Sequence, residues 1–596
     1  MIISVLMQST SQKANTFQSI LGIFLHSCRT PEKVIETLAH MGISIATGTI
    51  NKAIKSLSVN ARRALQQLGR TLTAGIAYDN VDVLLKTSVP TVEKTTENLK
   101  HLTSGLFFPL MHGVKREDLR CAKQLWEKSP FNPENLGVQL DKKTYLDLIS
   151  LLTERDLDND SMCSRDHFVA WLYLKDLCTY GPSYFHKFLN QIEQPVPVES
   201  IPVVKTDILP AYTMEVNNST VSGNIQAIDK LLEQGGIFNP KDELEPEFDA
   251  TEYIIPFHGD LGTGERIQSI YECRGFEHQE YERKHMIYFC PGLFHSKMAC
   301  ADTLHRILIK PDGINKDKTC LMNDVKVLRP RETHIIETKP TFRQMHQSIS
   351  HAGICRRLDC WRVLAQDRNS DHTSLELFAK SQPELEDLKK MANKLALEYA
   401  NWEDLPSDRM KPSSERDEIF ENSKLTLTYL ALYEEFSWAM NVGDIGRVER
   451  CLLPWIALFK GTGKHKYATH LELFLTSVHF ELPVAARRAV RYNWLLNVTG
   501  KPGKFRAVDW YSRSKIAGSI LSFFAVFLNF LGPFGHLRLS VCFSLSSSMS
   551  LSSSSLSSSS SPSSPSSSCS SSASACLPSI PSTSISSLST EHVLFV

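Results

Sequence analysis

One stretch of this 596-residue chain decides its fold class: Tyr253-Ile-Ile-Pro-Phe-His-Gly-Asp-Leu-Gly-Thr-Gly-Glu-Arg-Ile267. An apolar run ends there at an acid, Asp260. The pattern predicts a strand, then a turn that contains Gly262 and Gly264, then a helix that opens at Glu265. A strand end of this kind holds a carboxylate on a rigid mount, where a cation or a polar substrate can reach it. Asp260 is therefore the first candidate site residue.

A second strand followed by a helix comes shortly afterwards. The apolar run Met286-Ile-Tyr-Phe-Cys-Pro-Gly-Leu-Phe-His295 precedes a helical pattern over Met298–Leu308. Two consecutive strand-then-helix units favour parallel strands in one sheet. The sequence therefore predicts an α/β core.

An earlier segment, residues 71–90, alternates with a period of two residues. Ile76 and Tyr78 begin an extended apolar run that carries Asp79 and Asp82. Such alternation predicts a strand. An unpaired acid inside an apolar strand is costly, so Asp79 is either a partnered structural acid or a ligand.

Composition excludes some classes of function. Sixty-five basic residues balance 65 acidic residues, and the pI is about 7.3. The chain therefore lacks an overall basic field that would steer it to nucleic acid, although a local basic face is compatible with this balance. The 14 cysteines form no CxxC pair, which is the usage of a reducing compartment. We expect an intracellular protein, in the nucleus or the cytoplasm.

Shifts in composition along the chain predict five regions. They are a helical N-terminal region (1–70), an α/β core with a helical insertion (71–330), a helical region (331–511), an apolar segment (512–543) and a disordered serine-rich tail (544–596). Residues 100–200, inside the second region, look mostly helical. Residues 340–500 look almost wholly helical, with a polar break at 404–414.

Two helices are predicted near the N-terminus. Thr30-Pro31-Glu32 has the order of a helix start, and this helix ends at Gly42. A second helix follows through Ile50, Ile54 and Leu57. The pair fits a helix-turn-helix, but an ordinary helical hairpin is favoured because the motif needs a basic second helix.

The apolar run at residues 516–534 is just long enough to cross a bilayer. The basic residues before it would keep the main body in the cytoplasm. Asn529 and the early Gly532-Pro533 stop argue against a membrane anchor, which is the alternative that we do not favour.

Asp79 and Asp260 are the acids on which a metal site can be built. Phosphodiester cleavage by metal ions needs carboxylates from separate strands that converge on one site. Mg²⁺ and Mn²⁺ prefer such hard oxygen ligands. The pair is therefore predicted to bind Mg²⁺ or Mn²⁺. We take Glu472 as the third catalytic acid, with Glu449 as the other choice, although either could be an ordinary helix acid.

An ordered set of motifs resembles an uncharacterised domain family multiplied in mushroom-forming fungi, over roughly residues 15–511. The motifs are Tyr78-Asp-Asn-Val-Asp82, His258-Gly-Asp-Leu-Gly-Thr-Gly-Glu-Arg266, Pro291-Gly-Leu-Phe-His-Ser-Lys-Met298, Gly443-Asp-Ile-Gly-Arg447, Lys464-His-Lys-Tyr467 and Asn497-Val-Thr-Gly-Lys-Pro-Gly-Lys-Phe505.

The resemblance implies a remnant of a mobile element. Its acids are similar to those of an RNase H-like transposase core interrupted by large helical insertions, an analogy at the level of fold. Asp79 and Asp260 would match the first two acids of such a core. The pattern stops near Asp509-Trp510, which suggests that the segment beyond is a translated intron or a truncation and that a catalytic acid has been lost.

The sequence therefore predicts a decayed or domesticated transposase-derived protein, with metal-dependent phosphodiester chemistry on DNA if it is active. The alternatives are a non-catalytic helical interaction protein and a protein with a C-terminal membrane anchor.

Overall fold

The computed structural model describes residues 6–7, 11, 15–28, 30–85, 98–137, 143–153, 162–238, 249–309, 319–401 and 405–517. Over these ranges the protein is a mixed α/β fold in which helices predominate and a small mixed sheet forms part of the largest hydrophobic core. The α/β class with large helical additions is confirmed at this level. The domain boundaries predicted at residues 70, 330 and 511 stay predictions.

None of the helices in these ranges is long and apolar enough to cross a membrane. From residue 518 onward the predicted apolar segment and the predicted serine-rich tail lie outside the described residues.

Among the described residues of the N-terminal part, three helices have defined bounds: α1 (Thr16–Ser27), α2 (Glu32–His40) and α3 (Thr47–Arg70). They share a small core of Ile23, Ile35, Ile45 and Ile50. Gly42 has a φ of +72°, a backbone conformation that favours glycine, and it ends α2 as predicted. The second predicted helix is confirmed, but α3 is 24 residues long and extends far beyond Leu57.

The sheet has five strands: β1 (Ala74–Leu85), β2 (Asn98–Pro109), β3 (Leu209–Pro210), β4 (Ile255–Gly259) and β5 (Ile287–Pro291). Their order is β3-β2-β1-β4-β5. Strand β2 is antiparallel to both β3 and β1, whereas β4 pairs in parallel with both β1 and β5. The parallel strands predicted from the two strand–helix units are therefore confirmed. Strand β2 was not predicted, because residues 100–200 look mostly helical in the sequence.

Gly75 in β1 leaves room for an aromatic ring on one face of the sheet. A Cβ on Gly75 would lie 2.3 Å from the ring of Phe108 on β2. The same ring packs at 5.5 Å from His258 on β4. The opposite face carries Tyr78, whose hydroxyl donates a hydrogen bond of 3.0 Å to Asn224. The two faces of β1 thus have different neighbours, as the period-two pattern requires.

Eight helices occupy the segments between and after these strands: α4 (Ala122–Glu127), α5 (Tyr145–Leu152), α6 (Ser164–Tyr180), α7 (Ser183–His186), α8 (Val221–Gln234), α9 (Leu261–Arg274), α10 (Glu280–Arg283) and α11 (Leu293–Leu308). Helix α9 follows β4 directly, and α11 follows β5.

The predicted glycine-rich turn before Glu265 was wrong, because α9 already begins at Leu261. Asp260 is its N-cap, and its carboxylate accepts a 2.7 Å hydrogen bond from the Thr263 amide. Gly264 lies inside the helix, where a Cβ would come within 2.4 Å of the ring of Phe289. This glycine serves close packing of helix against strand, not a turn.

The C-terminal part is almost wholly helical, as predicted. Its helices are α12 (Leu321–Leu328), α13 (Thr333–Thr338), α14 (Phe342–Arg368), α15 (Leu375–Lys380), α16 (Leu385–Tyr399), α17 (Leu405–Arg409), α18 (Glu418–Val442), α19 (Ile445–Gly461), α20 (His465–Thr476) and α21 (Val484–Tyr492). A two-stranded ribbon, β6 (Leu495–Leu496) and β7 (Arg506–Ala507), then leads into α22 (Val508–Ala517).

A buried ion network joins two of these helices, α14 and α18, to α6. Arg357 on α14 donates a 2.7 Å hydrogen bond to Asp176 on α6 and two hydrogen bonds, of 2.7 and 3.2 Å, to Glu434 on α18. The Arg357 side chain is 1% exposed. Arg357 lies beside the second hydrophobic core, which contains Trp361. Because little water reaches these side chains, each charge depends on the opposite charge beside it for neutralisation.

We expect Arg357→Met to lower the free energy of unfolding by about 3–5 kcal/mol, because it leaves two buried carboxylates without their cation. The measurement is the shift of the denaturant midpoint followed by tryptophan fluorescence. Arg362→Gln on the same helix is the matched control. Its ion pair with Asp359 is 39% and 64% exposed, so it should cost less than about 1 kcal/mol. Equal shifts for the two variants would contradict a stabilising role of the buried network.

Candidate functional site

The parallel pairing of β1 with β4 brings the two predicted acids to neighbouring strands. Ile76 pairs with Phe257 and Ala77 with His258. Asp79 lies two residues beyond Ala77, and Asp260 lies two residues beyond His258. Side chains two apart on a strand point to the same face, and neighbouring strands are about 5 Å apart. Asp260 lies just past the end of β4, as the N-cap of α9, so the register brings Asp79 level with Asp260 on neighbouring segments of backbone. The fields of both acids act on His295.

Both acids are half-buried and both accept local hydrogen bonds. Asp79 accepts a 2.8 Å bond from the amide of Asn80. Asp260 caps α9 through Thr263 and forms no ion pair with any residue in the described part of the chain. The cap fixes the Asp260 carboxylate at the end of β4, which gives it the rigid mount predicted from the sequence.

A third carboxylate, Asp509, reaches the same face from the C-terminal helix α22. It is buried and accepts hydrogen bonds from the amides of Phe294 (3.0 Å) and His295 (2.9 Å), the first turn of α11. It also bonds Nδ1 of His295 at 2.9 Å. A Cβ on Gly292 would lie 2.3 Å from its Oδ2, so only glycine fits at the start of α11. Asp509 thus caps a helix that lies more than 200 residues earlier in the chain.

All three acids act on the pKa of His295. Burial alone would lower its pKa, but its hydrogen bond to the Asp509 carboxylate and the fields of Asp509, Asp79 and Asp260 raise it above the usual 6.5. The acids therefore favour the charged form of this imidazole, which opposes part of their negative charge. His295 and Asp509 are the site residues that sequence reasoning missed.

Two further side chains line this environment. Burial lowers the pKa of His258 to about 3, although the field of Asp509 raises it, so this imidazole stays neutral. Burial and the fields of Asp260 and Asp509 raise the pKa of Tyr467 to about 12. The motif Lys464-His-Lys-Tyr467 is therefore folded against the acids, and Lys466 ties it to α9 through a 2.8 Å ion pair with Glu265.

The two predicted third acids are engaged in ion pairs of their own. Glu472 on α20 pairs with Lys460 at 2.7 Å and accepts a 3.2 Å hydrogen bond from the amide of Tyr145. Glu449 is buried and pairs with Arg491 at 2.7 Å. Their negative charges are neutralised locally, whereas the charge of Asp509 acts on His295.

The donor set of this site is suited to a hard cation. Carboxylates from β1 and β4 are the ligand type that Mg²⁺ and Mn²⁺ prefer. Across the described ranges, no group of three or more His, Cys, Asp or Glu side chains has the arrangement of a metal cage. Mg²⁺ needs no such cage, because it commonly keeps several waters and uses one or two carboxylates together with substrate phosphates. The pair therefore supplies the ligand type of a magnesium site and lacks the nitrogen and sulfur ligands of a closed zinc site.

We expect His295 to titrate above pH 6.5 in the folded protein, because Asp509 favours its charged form. A raised folded pKa stabilises the fold below pH 6.5, and this contribution is lost as the pH rises through the folded value. Asp509→Asn should lower the pKa of His295 and remove that contribution. The measurement is an NMR titration of ¹³C-histidine-labelled protein, with His295→Gln to assign the signal.

His285 is the internal control in the same spectra. Burial is the main cause that lowers its pKa, and the carboxylate that acts on it is Glu280, not Asp509. An Asp509→Asn protein in which both histidines shift equally, or neither shifts, would contradict the assignment.

Comparison with known proteins gives a family but no function. No curated protein and no solved structure matches the chain at a significant level. A family model described as a family of unknown function (DUF6589) matches residues 142–512, which is more than half of the chain. The match includes Asp260, His295 and Asp509, whereas Asp79 lies before it. The chain belongs to this family of unknown function, DUF6589.

Proposed function

We propose that Asp79 and Asp260 bind Mg²⁺ or Mn²⁺ and that the protein cleaves or transfers phosphodiesters of DNA, as a transposase-derived protein with an RNase H-like core. The observation that supports the proposal is the parallel register of β1 and β4, which brings Asp79 on β1 level with Asp260 at the end of β4. A five-stranded mixed sheet interrupted by large helical segments supports it as well.

The chemistry follows from the ligand type. A divalent ion bound there neutralises phosphate charge and makes an attacking water or 3′-hydroxyl more acidic. Asp260 is suited to hold an ion because its cap through Thr263 uses one oxygen, Oδ1. Asp79 contributes from the neighbouring strand. Both carboxylates are half-buried, so their attraction for a cation is screened less than at an exposed surface.

Asp509 and His295 act as positioning residues in this proposal. Both oxygens of Asp509 are taken up by α11 and His295. Asp509 therefore fixes the imidazole near the acid pair instead of offering a free ligand. Glu472 is not included in the proposed site, because Lys460 neutralises it.

We expect Mg²⁺ or Mn²⁺ to raise the unfolding temperature of the full chain by a few degrees at saturating concentration, because an ion that binds only the folded state stabilises it. Asp79→Asn and Asp260→Asn should each abolish this rise. The Asp260→Asn variant keeps an N-cap side chain, since Asn caps helices about as well as Asp. Its basal stability should therefore change little.

Asp82→Asn is the matched control. This exposed acid lies on the same strand as Asp79 and pairs with His101 at 2.7 Å. It should leave the metal response intact. A metal response that persists in both site variants, or that Asp82→Asn removes equally, would count against the acid pair as the binding site.

The metal response should also depend on pH in a defined direction. His295 carries a proton more readily than usual because of the same acids. Cation binding must therefore compete with that proton, and affinity should increase as the pH rises above 6.5. His295→Gln should flatten this dependence above pH 6.5, because it removes the group whose pKa is raised. A metal affinity that is independent of pH in the wild type would contradict the coupling.

One observation favours the alternative of a non-catalytic interaction protein. Asp260 and Asp509 each cap a helix, which is a sufficient structural reason for an acid at either position. If these acids are only structural, Asp79→Asn and Asp260→Asn leave the response to metal unchanged, and nuclease assays on DNA show no metal-dependent product.

A further inference from the structure

One long helix presents a charged face of a single sign. Helix α3 contains five basic residues and no acid over its 24 residues. All five side chains are exposed, and none of them forms an ion pair with another residue in the described ranges. We call this set the basic stripe: Lys52, Lys55, Arg62, Arg63 and Arg70.

The helical period aligns these residues. At about 100° per residue, the five positions fall within an arc of roughly 100° on one side of the helix. Lys52 and Arg70 are 18 positions apart in the chain, so the stripe is about 27 Å long. The only large apolar side chain exposed within it is Val59, at 44%.

The other positions of α3 fix it to the protein. Ile50 and Leu65 are buried, and Gly69 approaches Gly235 so closely that a Cβ would lie 2.1 Å from the Gly235 carbonyl oxygen. The hydroxyl of Tyr212, beside β3, donates a 2.7 Å hydrogen bond to the carbonyl of Ser58. The stripe is therefore presented by a rigid helix and needs no rearrangement to meet a partner.

We infer that the basic stripe is a docking surface for the phosphate backbone of duplex DNA. Duplex DNA carries about one negative charge per 1.7 Å of axis, so a stripe of this length meets a continuous row of phosphates. A membrane surface fits less well, because an interfacial helix inserts its apolar face, and the apolar face of α3 already packs against the protein. The inference uses residues distinct from Asp79 and Asp260, so it can hold or fail independently of the proposed metal chemistry.

The test is binding of the full chain to a random-sequence 30-base-pair duplex, followed by fluorescence anisotropy with EDTA present. Five phosphate contacts predict a slope of about −4.5 for log K against log salt concentration. This corresponds to a loss of affinity on the order of 500-fold between 50 and 200 mM salt. The double variant Arg62→Gln/Arg63→Gln should give a slope of about −2.7.

Lys389→Gln/Lys390→Gln is the matched control, because it removes two adjacent charges from another helix, α16. It should keep the wild-type slope, which excludes an effect of net charge alone. A wild-type slope shallower than about −2, or equal slopes for both double variants, would overturn the inference. Sedimentation with vesicles that contain phosphatidylserine completes the design. Binding to vesicles but not to duplex DNA, lost in the stripe variant, would also overturn it and would assign the stripe to a membrane surface.

Since EDTA removes metal, these measurements do not depend on the acid pair. DNA binding that survives while Asp79→Asn and Asp260→Asn leave the metal response unchanged would support the stripe and refute the metal site. Normal metal binding with no DNA binding would refute the stripe and support the metal site.

Discussion

The parallel pairing of β1 with β4 is the constraint on which the rest of the site depends. It joins residues more than 170 positions apart and fixes which side chains share a face. Gly75 leaves room for the ring of Phe108 on β2, which packs beside His258 on β4. If β1 slipped by one residue, Asp79 would turn to the apolar side occupied by Tyr78 and Phe257. Burial of an acid there would be costly, so core packing and acid placement specify the same register.

Much of this sheet could be predicted from local patterns. The alternation in β1 and the apolar runs of β4 and β5 reflect burial, which a single sequence records directly. The start of α9 could not be predicted from glycine content, since Gly264 is required by the ring of Phe289 from another strand. Strand β2 was missed for a related reason. Its partner β1 and its neighbour β3 stabilise it, and such pairing outweighs local propensity.

Asp509 shows the limit of sequence reasoning most clearly. Its partners, Phe294 and His295, are 215 and 214 positions away, and no spacing rule connects them. The local signals are one acid in an ordinary stretch and one glycine, Gly292, before a helix that lacks a cap of its own. Glu472 lies in a more prominent motif, yet its charge is neutralised by Lys460. A conspicuous sequence motif around an acid therefore does not show which side chains its charge acts on.

The charge arrangement also explains why composition alone is a poor guide to partners here. Equal numbers of acids and bases argue against an overall basic field, and that argument holds for the whole chain. A phosphate backbone, however, responds to charges within about a Debye length, roughly 8 Å at physiological salt. Over that distance the relevant quantity is the exposed face of α3, where five cations lie without an acid in the helix. The same reasoning applies to the acid face. The fields of its three carboxylates favour a proton on His295, and in the site that we propose this proton would compete with a bound divalent ion.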